Sequence, residues 1–119
     1  VWLEFRRVLF RSYLYKYDEN GNQVETNYYG YDGLFEHKYI NEFDEHGKKV
    51  EGNGYDENGK FFQKITHKYD ENGNQVETNY YDADGSLRSK YIYKYDENGN
   101  TTKTISYNKL GEKVYEWDE

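Results

Sequence analysis

Oxygen-bearing side chains crowd the segment DENGN, which occurs at residues 18–22, 70–74 and 96–100. Carboxylate and amide oxygens at alternate positions before a glycine are the ligands that calcium loops use. An EF-hand loop, however, spans about twelve residues and ends on a bidentate Glu, which DENGN lacks. The same residue types suit a β-turn, because Asp caps its first position and Gly adopts the left-handed conformation. We therefore interpret DENGN as a turn, and predict no metal site and no cofactor.

Acid–base chemistry has few candidates in this sequence. The chain contains three histidines, His37, His46 and His67, and no cysteine. The predicted strand pairing places His67 opposite Glu77, which is the one arrangement that could form an acid–base pair. A half-exposed cross-strand ion pair explains these two residues more simply. We predict that the protein is not an enzyme.

Tyrosine is the most distinctive residue type, with 16 copies in 119 residues. Rows of exposed aromatic side chains can stack on sugar rings or receive the apolar surface of a partner. The densest row is Tyr91, Tyr93 and Tyr95, and we take these three with Tyr69 and Tyr39 as candidate ligand-binding residues. The simpler interpretation, which we favour, is that the tyrosines line the inside of a curled sheet.

The overall composition narrows the class of protein. Hydrophobic residues make up 34% of the chain and charged residues 33%, but there is no proline, so the chain lacks the composition of a disordered segment. The net charge of −7 argues against a nucleic-acid partner. No apolar run approaches the roughly 18 residues of a membrane span. We expect a folded β-protein, since Tyr, Thr and Ile favour strands.

An internal repeat defines the architecture. The pattern aromatic-x-x-x-Gly begins at residues 17, 29, 43, 55, 69, 81, 95 and 107, with spacings that alternate between 12 and 14 residues. The resulting unit has 26 residues, and residues 17–29 are identical to residues 69–81. Turns are expected near 18–21, 30–33, 44–47, 56–59, 70–73, 82–85, 96–99 and 108–111. The sequence thus predicts an all-β antiparallel meander of about nine strands, either an open twisted single-layer sheet or a curled half-barrel or shell.

The even spacing also predicts a register. From Tyr13 onward, every aromatic residue except Tyr28, Phe62 and Tyr80 is odd-numbered. With identical turns, all odd-numbered strand residues are expected on one face, which would be aromatic. Pairing Asp18 with Asn22 extends to the following predicted pairs: Val24 with Ile40, Val76 with Ile92, Tyr91 with Glu77 and Ile105, His67 with Glu77, and Phe62 with Gly54.

The first twelve residues differ from the rest of the chain, because they contain three of its four arginines and none of the repeat. The stretch LEFRRVLFRS, residues 3–12, resembles the translation of a widely used sequencing-library adapter. We therefore predict that residues 1–12 are a non-native segment. Residues 13–119 are expected to form the hairpin repeat array, truncated at both ends.

Tyr-Asp-x-x-Gly motifs such as YKYDENGN, at 15–22 and 93–100, resemble the YD repeats of Rhs-type bacterial surface and secreted proteins. The resemblance implies a long antiparallel sheet, an extracellular or cell-surface location, and neighbouring repeats of a longer parent chain as partners. It implies a structural or interaction role without catalysis. The alternative is a carbohydrate or cell-wall binding module that uses the odd-numbered tyrosines, so a glycan or a protein is a further candidate partner.

Overall fold

The computed structural model describes residues 11–119, which form a single antiparallel sheet of nine strands in the order β1 to β9. Each strand pairs only with its neighbours in sequence, which confirms the predicted all-β meander. This part of the chain contains no helix, and hence none long and apolar enough to cross a membrane. The strands are β1 Ser12–Tyr17, β2 Gln23–Tyr29, β3 Phe35–Phe43, β4 Lys49–Asp56, β5 Phe61–Tyr69, β6 Gln75–Asp82, β7 Leu87–Tyr95, β8 Thr101–Asn108 and β9 Lys113–Asp118.

The same turn closes every hairpin. In the first, the amide of Gly21 donates to the carbonyl of Asp18 at 3.1 Å, and the amide of Asp18 donates to the carbonyl of Asn22 at 3.0 Å. One carboxylate oxygen of Asp18 also accepts the amides of Asn20 and Asn22, each at 2.9 Å. Gly21 has a φ of 83°, which is strained for any residue with a side chain. This is a type I turn followed by a glycine bulge.

A second bulge follows each turn and changes the register. In the first hairpin Tyr17 lies opposite Gln23, but Lys16 lies opposite Glu25, so Val24 is an extra residue. All eight hairpins repeat this shift. The extra residues are Val24, Glu36, Val50, Phe62, Val76, Arg88, Thr102 and Val114.

The predicted register is consequently wrong by one residue beyond each turn. Ile40 lies opposite Glu25 rather than Val24, and Ile92 lies opposite Glu77 rather than Val76. Similarly, the neighbours of Tyr91 are Thr78 and Ser106. The error arose because a single glycine bulge preserves the even spacing, whereas a second bulge adds one residue to one strand of each pair.

The relation between Phe62 and Gly54 is a partial exception. The backbone partner of Gly54 is Gln63, so the predicted pairing of Phe62 with Gly54 is wrong in register. The ring of Phe62 nevertheless covers Gly54, because a Cβ atom on Gly54 would lie 2.8 Å from Phe62 Cζ. An aromatic ring therefore packs on a strand glycine, although it projects from the bulge.

The two faces of the sheet follow from the corrected register, since cross-strand partners point to the same side. Beyond the bulge of each strand, odd-numbered residues of β1, β3, β5, β7 and β9 share a face with even-numbered residues of β2, β4, β6 and β8. The first residue of β2 to β9, such as Gln23 or Lys49, has the opposite parity because it precedes the bulge. The prediction that all odd-numbered residues share one face is therefore wrong. We call one side the aromatic face, which includes Tyr13, Tyr15, Tyr28, Tyr39, Phe62, Ile65, Tyr80, Tyr91 and Tyr93. The other is the charged face, which includes Lys16, Glu25, Glu51, Lys64, Lys68, Glu77, Lys90, Lys103 and Glu116.

The sheet has one layer and almost no enclosed core. Ile105 is the single buried hydrophobic residue among residues 11–119, whereas Thr26, Thr78 and Thr104 are buried at the centres of their strands. Because β1 and β9 do not pair within the described chain, the sheet is open at both edges. Stability must come from backbone ladders and from many cross-strand pairs, each contributing about 0.2–1 kcal/mol.

The predicted boundary between a non-native segment and the repeat array falls at the start of β1. Ser12 already pairs with Tyr29, so the sheet includes one residue of the segment assigned to 1–12. Arg11 lies over the ring of Tyr31, 5.3 Å from its centroid. Residues 1–10 lie outside the described residues, and the adapter origin of this segment stays a prediction.

Candidate functional site

The charged face is a network of satisfied ion pairs. Glu77 is its centre, because Lys68 and Lys90 approach its carboxylate at 3.1 and 3.3 Å and Asn79 donates to it at 2.7 Å. Burial alone would raise the pKa of Glu77, but these three contacts outweigh burial and lower it. The same Glu-x-Asn pair recurs in β2 and β4, as Glu25 with Asn27 and Glu51 with Asn53. A structural role in the sheet accounts for charged side chains that are paired in this way.

The predicted pairing of His67 with Glu77 is wrong. His67 lies opposite Thr78 on the aromatic face, with Nδ1 3.2 Å from the threonine hydroxyl, whereas Glu77 points to the charged face. Burial, and secondarily the nearby Lys49 ammonium, lower the pKa of His67. The charged imidazolium is thus disfavoured, and no carboxylate of residues 11–119 forms an ion pair with His67. Over residues 11–119 there is also no cluster of three or more His, Asp or Glu side chains that could hold a metal ion.

The tyrosines proposed from sequence lie on the aromatic face but do not form one site. Tyr91, Tyr93 and Tyr95 are half-buried along β7, and Tyr80 of β6 packs edge-on against Tyr91 with ring centroids 5.8 Å apart. The hydroxyl of Tyr95 donates to the carbonyl of Gln75 at 2.6 Å. In the same way Tyr69 donates to the carbonyl of Lys49 at 2.8 Å. These two hydroxyls thus link neighbouring strands. Tyr39 belongs to a different cluster of aromatic rings.

That cluster lies at the β1–β5 end of the aromatic face. Tyr28 is its centre, with its ring stacked on His37 at 4.3 Å and edge-on to Tyr39 at 6.1 Å. Burial, followed by the neighbouring tyrosines, raises the pKa of Tyr28 above the ordinary value of 10.0. The cluster comprises six rings, those of Tyr13, Tyr15, Tyr28, His37, Tyr39 and Phe62.

An open depression adjoins this cluster across β2 to β5. It has a volume of about 370 Å³ and combines aromatic, amide and ammonium groups. Asn41 lies at its base and is only 7% exposed. The Asn41 Nδ2 donates to the carbonyl of Gln23 at 3.0 Å, while its Oδ1 is buried and accepts no hydrogen bond from residues 11–119. The lining residues are Gln23, Thr26, Tyr28, Tyr39, Asn41, Lys49 and Ile65.

Lys49 supplies the positive charge of the depression. Its stem lies over Gly52, because a Cβ atom there would be 3.3 Å from Lys49 Cε and 3.1 Å from Asn41 Oδ1. Burial lowers the pKa of Lys49. Its ammonium forms no ion pair with any carboxylate in the described part of the chain.

Sequence reasoning missed this site, although the repeat carries a signal for it. Strands β2 and β6 both begin QVETNYY, whereas β4 begins KVEGNGY. The three differences, at Lys49, Gly52 and Gly54, all fall on the aromatic face, while Glu51 and Asn53 keep the charged face unchanged. A comparison of the repeats with one another, position by position, would have shown that β4 departs on one side only.

The fold defines the chain as an open, single-layer antiparallel meander built from β-hairpin repeats. No protein-family model matches it, and no curated protein matches it significantly. It is similar to the crystal structure of a protein of unknown function from Bacteroides fragilis, with a TM-score of 0.70 and 16% identity over 97% of this chain and 96% of that one. A DUF3836 family protein from Parabacteroides distasonis matches at 21% identity over 85% and 94% of the two chains, with a TM-score of 0.47. At such identity the first likeness shows the fold alone.

Proposed function

We propose that this chain is a structural and interaction segment of a bacterial surface or secreted protein, and that it performs no catalysis. One observation carries the proposal, namely that nine strands pair only with their sequence neighbours through eight equivalent hairpins. Each repeat contacts only the adjacent repeats, as in other quasi-one-dimensional arrays. Such a sheet extends by adding units and displays two chemically different faces. The resemblance to YD repeats supports the same role and location.

The proposal predicts that the repeats are modular. Deleting residues 43–68 removes one 26-residue unit and joins Glu42 to Tyr69, which is the repeat equivalent of Phe43. We expect the shortened chain to fold cooperatively into a sheet with two strands fewer and with a lower free energy of unfolding. Circular dichroism and urea denaturation measure both properties. An unfolded deletion product would contradict a modular scaffold.

A second candidate function is binding of carbohydrate or cell-wall material on the aromatic face. The observation that favours it is the density of half-buried rings, since aromatic faces stack well on sugar rings. A glycan array and pull-down on peptidoglycan and polysaccharides test this function. Specific binding that is lost in the Tyr91→Ala/Tyr93→Ala variant would overturn a purely structural role. Absence of any glycan binding would leave the scaffold proposal in place.

A further inference from the structure

We propose that the depression between β2 and β5 binds an acidic saccharide, one that carries a carboxylate such as a uronic acid. This inference rests on the second candidate function above and gives it a particular site and ligand class. At the depression, residues on the aromatic face differ from the equivalent residues of the other repeats. Several residues at or beside it differ from all their counterparts in the other repeats, among them Asn41, Phe43, Lys49, Gly52, Gly54 and Ile65.

Strand β4 lacks two of the side chains that other strands place on the aromatic face. In β2 and β6 the positions equivalent to Gly52 and Gly54 are Thr and Tyr, whose side chains fill the aromatic face. In β4 both side chains are missing, and the Lys49 stem and the Phe62 ring lie over the two glycines, whose cross-strand partners in β3 are Asn41 and Tyr39. Two glycines within one strand weaken it, because glycine loses more entropy on folding and packs no side chain. Glycine in a strand often marks a close approach to the backbone, and here the two glycines leave room for the Lys49 stem and the Phe62 ring.

Hydrogen bonding at the depression also differs from that in the other repeats. In β2 and β6 the glutamine at the start of the strand donates to the threonine three residues later, at 2.7 Å in both cases. In β4 a lysine and a glycine replace this pair, so the local hydrogen bond is lost. The buried Oδ1 of Asn41, the cross-strand partner of Gly52, has no donor within residues 11–119. A buried acceptor without a donor destabilises the fold, and a ligand hydroxyl can supply that donor.

The depression combines a positive charge with aromatic rings. The half-buried Lys49 ammonium forms no ion pair in the described structure, so an anionic group entering the depression would gain a charge-assisted hydrogen bond. Tyr28 and Tyr39 present aromatic rings beside it. A ring face, a buried acceptor and a lone ammonium together match a sugar ring, its hydroxyls and a carboxylate. Neutral glycans would leave the ammonium unpaired.

The test uses oligogalacturonate as the probe, titrated by calorimetry into the full chain. Fully methyl-esterified oligogalacturonate is the matched neutral ligand, because it keeps the ring and hydroxyls but loses the charge. A polyglutamate peptide of similar charge distinguishes saccharide from acidic peptide. We expect the free acid to bind, and the ester and the peptide to bind at least about tenfold more weakly.

The decisive variant is Lys49→Gln/Gly52→Thr, which restores the glutamine–threonine pair that β2 and β6 already contain. We expect this variant to fold, with an unchanged circular dichroism spectrum, and to lose at least about tenfold in affinity for the acid. Lys64→Gln is the control, because it removes the same charge from the opposite face, and it is expected to bind normally. Asn41→Leu is a second variant and is expected to bind the free acid at least about tenfold more weakly. Unchanged affinity of this variant would overturn the role of the buried acceptor.

The outcomes separate the proposals. Binding that survives Lys49→Gln/Gly52→Thr, or equal binding of the esterified probe or of polyglutamate, overturns the acidic-saccharide site. Neutral glycan binding that depends on Tyr91 and Tyr93 but not on Lys49 overturns this site and keeps the carbohydrate function. Absence of binding to any saccharide overturns both and leaves the scaffold.

Discussion

Asn41 donates its side-chain amide to the backbone carbonyl of Gln23 at 3.0 Å, across the boundary between β3 and β2. In the two following repeats a tyrosine hydroxyl makes the equivalent bond, from Tyr69 to Lys49 and from Tyr95 to Gln75. Phe43 stands at the equivalent position here and has no hydroxyl. Asn41, two residues earlier on the same face, therefore supplies the donor that Phe43 lacks.

This exchange of donors predicts a compensating pair of mutations. Asn41→Leu leaves the carbonyl of Gln23 without its donor and should lower the free energy of unfolding by about 1–2 kcal/mol. Adding Phe43→Tyr to that variant should recover much of the loss, because the new hydroxyl can take the Tyr69-like position. Urea denaturation of the two single variants and the double variant measures the coupling. Strictly additive effects would contradict the exchange.

The hydroxyl of Tyr95 offers a simpler test of the same bond. Tyr95→Phe should cost about 0.5–1.5 kcal/mol of stability, because the carbonyl of Gln75 loses its donor. Tyr93→Phe is the matched control on the same strand and face, since the Tyr93 hydroxyl makes no hydrogen bond with residues 11–119, and it should be nearly neutral. If both variants have the same denaturation midpoint, the bond contributes nothing to stability.

Gly54 is required for the packing of two aromatic rings. A Cβ atom at this position would lie 2.8 Å from Phe62 Cζ and 3.0 Å from Tyr39 Cε1. We expect Gly54→Ala to destabilise the sheet by about 1 kcal/mol, since the overlap outweighs the entropic gain that alanine brings. In a Phe62→Leu background the same substitution should be neutral or stabilising. Thermal denaturation of the four proteins decides the matter, and an equal cost in both backgrounds would exclude steric overlap with Phe62.

The turn glycines should tolerate asparagine better than alanine. Gly85 has a φ of 84°, and no atom lies within 4 Å of a Cβ placed on it, so only the backbone conformation is at stake. Gly85→Ala should cost about 1–2 kcal/mol, whereas Gly85→Asn should cost less, because asparagine enters the left-handed region more readily. The free energy of unfolding in urea measures both variants. An alanine variant as stable as the parent would contradict a strict left-handed requirement.

Acid should weaken the sheet through the turn aspartates. Hydrogen bonds lower the pKa of Asp18, Asp70 and Asp96 below the ordinary value of 3.8. The largest contribution in each case comes from the backbone amide of the asparagine four positions later. The stability that these carboxylates confer is therefore present above pH 3.8 and is lost as the pH falls through their folded-state values. The triple Asp→Asn variant should show a smaller fall in Tm on acidification than the parent. The control variant changes the neighbouring carboxylates and is Glu19→Gln/Glu71→Gln/Glu97→Gln, for which we expect a fall close to that of the parent.

His67 should add a separate pH effect at higher pH. Its folded-state pKa lies below the ordinary 6.5, because burial and Lys49 disfavour the imidazolium. The unfolded chain thus binds the proton more readily, and stability should decline as the pH falls below 6.5, until His67 is protonated in the folded state as well. His67→Gln should remove this decline, while His46→Gln, at an exposed turn position, should keep it. Tm values measured from about pH 5 to 8 test both expectations.

The turns, the number of strands and their order could be predicted from the sequence alone. Aspartate capping and left-handed glycine act within four or five residues, so Asp18 and Gly21 specify their turn without help from distant parts of the chain. Short hairpin connections then leave each strand beside its neighbour, which predicts the open meander. The alternation of residue types also predicts that one face is rich in aromatic residues, but it assigns the wrong residues of every second strand to that face.

The register, the composition of each face and the location of the candidate site depend on the tertiary structure. The second bulge in each hairpin is occupied by residues as different as Val24, Glu36, Phe62 and Arg88, so no residue type signals it. That extra residue reverses the parity of every second strand. Tyr28 and Tyr80, which seemed exceptions, consequently belong to the aromatic face, and Asn41 meets Gly52. A shift of one residue is set by the pairing of whole strands and by the twist of the sheet, which local sequence does not encode.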